Sequence, residues 1–122
     1  MFQAFEVVRK EYEKLYKDVC TIIAYEKVRN EDMSTELKEV VACENQPCRL
    51  SFQTKTNTND TDSASTTVQT IELFISPDII IKAGSDITVT HEGRTTKYKN
   101  SGVPAVYPTH QEIILEYSKE WA

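Results

Sequence analysis

The sequence predicts a mainly β protein of the α+β type, in which a small bent β-barrel of five to seven strands follows an N-terminal α-helix. Three observations predict this class. Helical periodicity of apolar residues is confined to the first segment. From Cys20 onward the period changes towards two and β-branched residues become common. The 122 residues, 39% of them hydrophobic, fit one globular domain spanning 1–122 and leave no room for a second.

The predicted helix spans residues 2–18. Its apolar side chains recur at three- and four-residue steps and form one stripe, while charged residues fill the opposite face. The stripe consists of Phe2, Phe5, Val8, Tyr12, Leu15 and Val19. Because charges occur throughout this segment, we expect neither a secretion signal nor a membrane span, and a protein that is cytosolic while free.

Six segments of the β-barrel region, residues 20–122, have the composition of strands, and turn residues separate them. The segments are TIIAYEKV, ELKEVVACE, CRLSFQ, TTVQTIELFIS, DITVTHEGRTTKYK and QEIILEY. Breaks are predicted around Asn30, Asp32 and Ser34 after the first segment, and at Pro47 before the third. So few strands predict a strongly bent sheet with an open edge.

A turn motif surrounds the fifth segment. Gly84, Ser85 and Asp86 precede its first strand, and Gly93 lies in its middle. Glycine adopts positive φ without strain, so Gly93 is suited to the turn of a hairpin between residues 87–89 and 95–98.

The last segment has apolar residues on both of its predicted faces. Ile113, Leu115 and Tyr117 alternate with Ile114 and Glu116. The apolar side chain of Ile114 on the outer face predicts that the N-terminal helix or a neighbouring subunit covers this strand. The candidate interface residues are therefore Ile114, Tyr117 and Trp121.

A long polar loop is predicted at residues 53–66, QTKTNTNDTDSAST, where Ala64 is the only apolar residue. A hairpin needs about two to five connecting residues, and longer unstructured loops tend to be functional or disordered. The candidate residues are Thr54, Lys55, Thr56, Asn57, Thr58, Asn59, Asp60, Thr61, Asp62 and Ser63. We expect residues 54–65 to be poorly ordered in the free subunit. A calcium site is not expected, because the glycine and terminal glutamate of such a loop are missing.

Metal-dependent or catalytic chemistry receives little support from the sequence. Cys43 and Cys48 with His91 and His110 carry zinc-binding atoms, but their spacing does not match a zinc motif. The three cysteines, which include Cys20, are odd in number and irregularly spaced, and this favours reduced structural thiols. No thiolate–base pair is apparent. We therefore expect no enzyme, no metal and no cofactor.

The charge balance argues against tight binding of nucleic acid. The formal net charge is -5, from 19 acidic and 14 basic residues, and no long run of Lys or Arg is present. Tyr98, Tyr107 and Tyr117 could stack on bases, but packing in the core or at an interface explains them more simply.

Most of the chain from Cys20 to Ala122 resembles the head-closure proteins of long-tailed bacteriophages, also called stoppers or head-tail connectors. The resemblance rests on ELFISPD, on IIIKAGSDITVTHEGRTTKYK and on GVPAVYPTHQEIILEY, and the order of segments agrees from Cys20 to Ala122. The sequence is most similar to the branch found in prophages of Gram-positive bacteria, including the PBSX-like element of bacilli. A helix at residues 2–18 is not common to all members.

The resemblance implies a structural role in the virion neck. Such proteins assemble as a ring below the portal, close the DNA channel after packaging and offer a docking surface to the tail. The implied partners are portal or adaptor proteins, tail proteins and other copies of the same chain, with transient and non-specific contact with DNA and no membrane. The resemblance makes residues 53–66 a channel loop. The alternatives are another neck or tail-completion component with the same barrel, and a small cytosolic ligand-binding β-barrel.

Overall fold

The computed structural model describes residues 2–58 and 65–118, with side chains described for 4–54 and 68–118. The described chain contains one helix, α1, followed by strands β1 to β7. Their bounds are α1 Phe2–Glu13, β1 Asp18–Arg29, β2 Thr35–Thr58, β3 Ser65–Ile75, β4 Asp86–His91, β5 Arg94–Asn100, β6 Ala105–Val106 and β7 Gln111–Tyr117. This architecture confirms the predicted mainly β class with an N-terminal helix.

The strands form one antiparallel sheet in the order β3-β2-β1-β4-β5-β7-β6, and an additional pairing of β3 with β7 closes it into a ring. One edge of β7 pairs with β3 from Ile71 to Ile75, while the other edge pairs with β5 and with the short β6. The prediction of an open edge is therefore wrong, because both edges of the last strand are paired with other strands.

Strand β2 changes partner in the middle of its 24 residues. Up to Cys48 it pairs with β1, and from Cys48 to Thr58 it pairs with β3. The strand break predicted at Pro47 is wrong, because Pro47 lies inside β2 at this change of partner. The ladder is already irregular there, since Asn45 has a φ of 49° and the β1–β2 register shifts nearby. Strands tolerate proline at such irregular positions.

Two hairpin arms continue beyond the ring. β1 pairs with β4 only from Val19 to Ile23, so residues 24–41 form a two-stranded arm that we call the β1–β2 arm. β3 pairs with β7 only from Ile71 onward, so residues 53–58 and 65–70 form a second two-stranded arm, the β2–β3 arm. Since β2 enters the ring from the first arm and leaves it into the second, the arms project from opposite ends.

The core fills the inside of the ring. Its fully buried side chains come from alternate positions of five strands and include Ile22, Leu73, Ile75, Ile87 and Ile113. Ile87 and Val89 lie on one face, as the sequence predicts, and Leu115 is buried beside Ile113. The alternation predicted for the last strand is thus confirmed for its inner residues.

Replacing Leu73 by alanine is expected to lower the free energy of unfolding by about 3 kcal/mol, because a buried leucine leaves a cavity when truncated. Leu73 is 0% exposed. Urea titration measures the change. The control is Leu37→Ala on the β1–β2 arm, where the side chain is 65% exposed and a change within about 0.5 kcal/mol is expected. Equal losses in both variants would contradict this assignment of the core.

Helix α1 ends at Glu13, five residues before the predicted end. The amides of Leu15 and Tyr16 donate to the carbonyls of Tyr12 and Glu13 in a tight turn. This turn redirects the chain into β1 at Asp18, whose buried carboxylate accepts the Leu50 N–H at 2.9 Å. The apolar stripe of the sequence continued through Leu15 and Val19, but those two side chains lie on the turn and on β1.

Candidate assembly surfaces

The predicted polar loop is largely strand. Gln53–Thr58 belongs to β2 and residues 65–66 belong to β3, with Thr54 opposite Gln69, Thr56 opposite Thr67 and Thr58 opposite Ser65. The loop prediction is wrong for these residues. Asn59, Asp60, Thr61, Asp62 and Ser63 lie outside the described residues, and the expectation of poor order there stays a prediction.

The β2–β3 arm is held by backbone pairing rather than by a core. Its residues 53–70 contain only Ala64 and Val68 as apolar side chains, and Val68 is about half exposed. An isolated two-stranded ribbon is marginally stable in water. The closed sheet holds the two strands together where the β2–β3 arm begins. The paired strands then continue beyond the sheet as a polar arm.

The turn motif is structural. Gly84 and Gly93 both have a φ of 78°, and Glu92 with Gly93 forms the tight turn that joins the paired residues His91 and Arg94. Ser85 is buried, and its hydroxyl donates to the Lys82 carbonyl at 2.6 Å. The predicted hairpin at Gly93 is therefore present.

Asp86 of the same motif anchors the root of the β1–β2 arm. Its buried carboxylate accepts the Tyr25 hydroxyl and lies 3.7 Å from Lys97 Nζ and 4.0 Å from Lys99 Nζ. The hydrogen bond to Asp86 raises the pKa of Tyr25 to about 12. Asp86 thus ties the arm to β4 and β5 rather than forming an exposed binding loop.

Two of the candidate interface residues are exposed on β7. Ile114 is 53% exposed on the outer face opposite Glu72, and Tyr117 is 57% exposed at the end of the strand. Trp121 lies outside the described residues. Helix α1 leaves Ile114 exposed, so of the two covers that the sequence suggested, the helix is excluded and the neighbouring subunit stays a prediction.

Helix α1 is attached to the sheet by an aromatic stack that the sequence reasoning missed. The Tyr12 ring stacks on His110 at 4.1 Å between centroids, and Tyr107 stacks on His110 at 4.9 Å. Arg9 adds a hydrogen bond to Ser76 Oγ at 3.0 Å and an ion pair with Asp78 at 2.5 Å. On sequence alone, His110 is weighed as a zinc ligand and Tyr107 as a packing aromatic, and neither interpretation predicts the contact with Tyr12.

Removing the aromatic side chain of Tyr12 is expected to release α1 without unfolding the closed sheet. Stacked aromatic pairs contribute about 0.5–1.5 kcal/mol beyond the area that they bury, and a 12-residue helix is marginal by itself. In Tyr12→Ala, amide exchange should therefore accelerate over residues 2–13 and remain unchanged in β4 and β5. Tyr12→Phe keeps the stack and is the control. Faster exchange throughout the protein would show that α1 is part of the cooperative core instead.

The three thiols are core side chains. Cys20 and Cys48 are buried and Cys43 is partly buried, all in the reduced form. A hydrogen bond with Cys48, together with burial, raises the pKa of the Cys20 thiol. A thiol held neutral in this way is a poor nucleophile and a poor metal ligand. Among the described residues, no three His, Cys, Asp or Glu side chains are grouped in a way that could hold a metal ion.

A cavity of about 500 Å³ lies at the end of the ring from which the β2–β3 arm leaves. We call it the end cavity. The buried side chains of Leu50, Val89 and Tyr98 form its floor, and the partly exposed rings of Phe52 and Tyr117 form its walls. The Tyr98 and Tyr117 rings contact each other at 5.4 Å between centroids. Tyr117, a predicted interface residue, is therefore part of a concave site.

The polar rim of the end cavity carries His91, Glu92 and Arg94. His91 Nδ1 lies 2.8 Å from the carboxylate of Asp18, the buried residue that also accepts the Leu50 N–H. Asp18 is itself held in place by the Leu50 N–H, so its contact with Nδ1 fixes the orientation of the His91 imidazole. The Phe52 ring meets His91 edge-on at 6.0 Å, which fixes the aromatic wall against this polar pair.

These features define a small protein built on a closed antiparallel sheet with two hairpin arms and a docked helix. The chain is similar in fold to the phage-like element PBSX protein xkdH from Bacillus subtilis, with a TM-score of 0.52 and 11% sequence identity. The alignment covers 84% of this chain and 96% of that chain. At this identity the similarity concerns the fold alone.

Comparisons of the sequence itself add no relative. No protein-family model matches the chain, and no curated protein is significantly similar to it. Within the described residues, no helix has both the length and the apolar character needed to cross a bilayer.

Proposed function

We propose that the protein is a structural component of a phage neck, which assembles as a ring below the portal, closes the DNA channel after packaging and offers a docking surface to the tail. The observation that carries this proposal is a polar arm, in which residues 53–58 pair with 65–70, at one end of a closed sheet whose fold is similar to that of a protein of the PBSX phage-like element. The resemblance of the sequence to head-closure proteins supports the same role.

The arm has the properties that a reversible barrier to DNA needs. Residues 53–70 include one cation, Lys55, and two carboxylates, Asp60 and Asp62, so the arm offers little attraction for phosphate. Its Thr, Asn and Ser side chains can hydrogen-bond to the arms of neighbouring copies. Each such bond contributes about 0.5–1.5 kcal/mol, so many copies together close a passage while each contact remains breakable.

Side-by-side assembly has a candidate surface in β7. An exposed isoleucine on the outer face of a closing strand is suited to packing against a neighbour, and Ile114 is such a residue. A ring requires a heterologous contact, in which this surface meets a different surface of the next copy. The proposed partners are thus further copies of the chain, the portal or adaptor proteins on one side and tail proteins on the other. DNA contact is transient and no membrane or enzymatic step is involved.

The proposed location is the virion neck, with the protein in the host cytoplasm before assembly. A cryo-EM reconstruction of the neck tests it: the expected result is a ring of this chain below the portal with the β2–β3 arms directed to the axis. Density for the chain elsewhere in the neck would favour the alternative of another neck or tail-completion component. Absence from the virion, together with a small molecule in the end cavity, would favour a cytosolic ligand-binding protein and overturn the proposal.

A further inference from the structure

The end cavity combines an apolar floor with aromatic walls that are exposed to solvent. Val89 and Tyr98 are almost fully buried beneath it, whereas Phe52 is 43% exposed and Tyr117 is 57% exposed. Ligand sites in proteins are concave, mostly apolar and of about 300–1,000 Å³, with a few polar groups that fix orientation. The end cavity, at about 500 Å³, has the size for one aromatic ring system, with apolar and aromatic side chains at its floor and walls and polar side chains at its rim.

The rim of the end cavity has one cation that the fold does not use. Within the described part of the chain, the Arg94 guanidinium makes no hydrogen bond and no ion pair, although it lies next to the aromatic walls. The neighbouring rim side chains have contacts within the protein: His91 Nδ1 lies 2.8 Å from Asp18 Oδ1, and His91 Nε2 lies 3.9 Å from a carboxylate oxygen of Glu92. An occupant that carries a carboxylate therefore finds a complementary charge at Arg94.

We propose that the end cavity binds an aromatic side chain with an adjacent carboxylate, presented by a segment of a partner protein. The ring lies between Phe52 and Tyr117 above the apolar floor, and the carboxylate pairs with Arg94. A nucleic acid fits this site less well, because a chain of net charge -5 with a single unengaged rim cation does not track a phosphate backbone. Binding of an aromatic carboxylate in the end cavity does not depend on the proposed role in the phage neck. Either proposal can therefore be wrong while the other holds.

The experiment titrates the full chain with N-acetyl-L-tryptophan, which has an indole and a carboxylate, and with its neutral amide. Binding is followed by NMR chemical shifts. The expected shifts map to Phe52, Val89, Tyr98 and Tyr117, and the carboxylate form binds roughly threefold to tenfold more tightly than the amide, as a partly solvated charge-assisted pair allows.

Two variants and one control test the assignment of the groups. Arg94→Gln should reduce the preference for the carboxylate to less than about twofold. Tyr117→Ala should weaken the binding of both probes. Arg29→Gln, an exposed arginine on the β1–β2 arm, should change neither.

Three results would overturn the proposal: no shifts in the cavity, shifts without a preference for the carboxylate, or a preference that Arg94→Gln leaves intact. Contacts in the free protein between the cavity and Trp121, the one tryptophan of the sequence, would also overturn it, since the chain would then fill its own site.

Discussion

Heads assembled with a shortened β2–β3 arm are expected to package DNA and to lose it before tails attach. The register allows a clean shortening, because Lys55 lies opposite Val68 in the ladder. Deleting residues 56–67 and joining these two through Asn-Gly keeps the strands paired with a two-residue turn. Each hydrogen bond lost between neighbouring arms removes roughly 1 kcal/mol from the barrier. Because every subunit of the ring carries the shortened arm, many such bonds are lost together.

The matched control shortens the other arm. Lys27 lies opposite Leu37, so residues 28–36 can be replaced by the same Asn-Gly turn. Nuclease protection of DNA in tailless heads measures retention, and sedimentation of the heads verifies that each variant is incorporated. The proposed barrier predicts loss of DNA only with the short β2–β3 arm. Retention by both variants, or loss from both, contradicts it.

Ile114→Glu is expected to abolish incorporation of the protein into heads while leaving the isolated chain folded. The side chain is 53% exposed on the outer face of β7, so the free energy of unfolding should fall by at most about 1 kcal/mol, chiefly through repulsion from Glu72 directly opposite. In an assembled ring, the same carboxylate becomes buried without a partner, which costs several kcal/mol at every interface.

The control for this prediction is Leu37→Glu, which introduces the same charge at an exposed apolar residue of the β1–β2 arm. Circular dichroism and urea titration check the fold of both variants, and immunoblots of purified heads measure incorporation. If Ile114→Glu enters heads as well as the wild type, this face of β7 is not a contact surface, and the ring must use another part of the molecule.

The β2–β3 arm shows why the sequence predicted the class but not the extent of the strands. Residues 53–66 lack an apolar face, and a strand that packs against nothing leaves no hydrophobic alternation to detect. Thr54, Thr56 and Thr58 do alternate, and this period-two repeat of a β-branched residue was the signal for strand. The same limit applies to Pro47, since a change of pairing partner within β2 has no local signature.

Positions that pack against the core were predicted well, and positions that depend on remote partners were not. The inner residues Ile113 and Leu115 follow from alternation alone. The stack of Tyr12 on His110 joins residues far apart in the sequence, so spacing could not reveal it. The end cavity likewise draws Phe52, Arg94 and Tyr117 from three strands, and only the closure of the sheet brings them together.

The continuity of β2 through the ring gives the molecule a direction-dependent mechanical strength. One strand of 24 residues runs from the β1–β2 arm to the β2–β3 arm, about 80 Å if it were straight. A pull along this strand loads the ladders with β1 and β3 in shear, so many hydrogen bonds share the force. A push across either arm peels the pairs apart one after another, because only the outermost pair then carries the load. Each arm therefore yields sideways at much lower force than it does lengthwise.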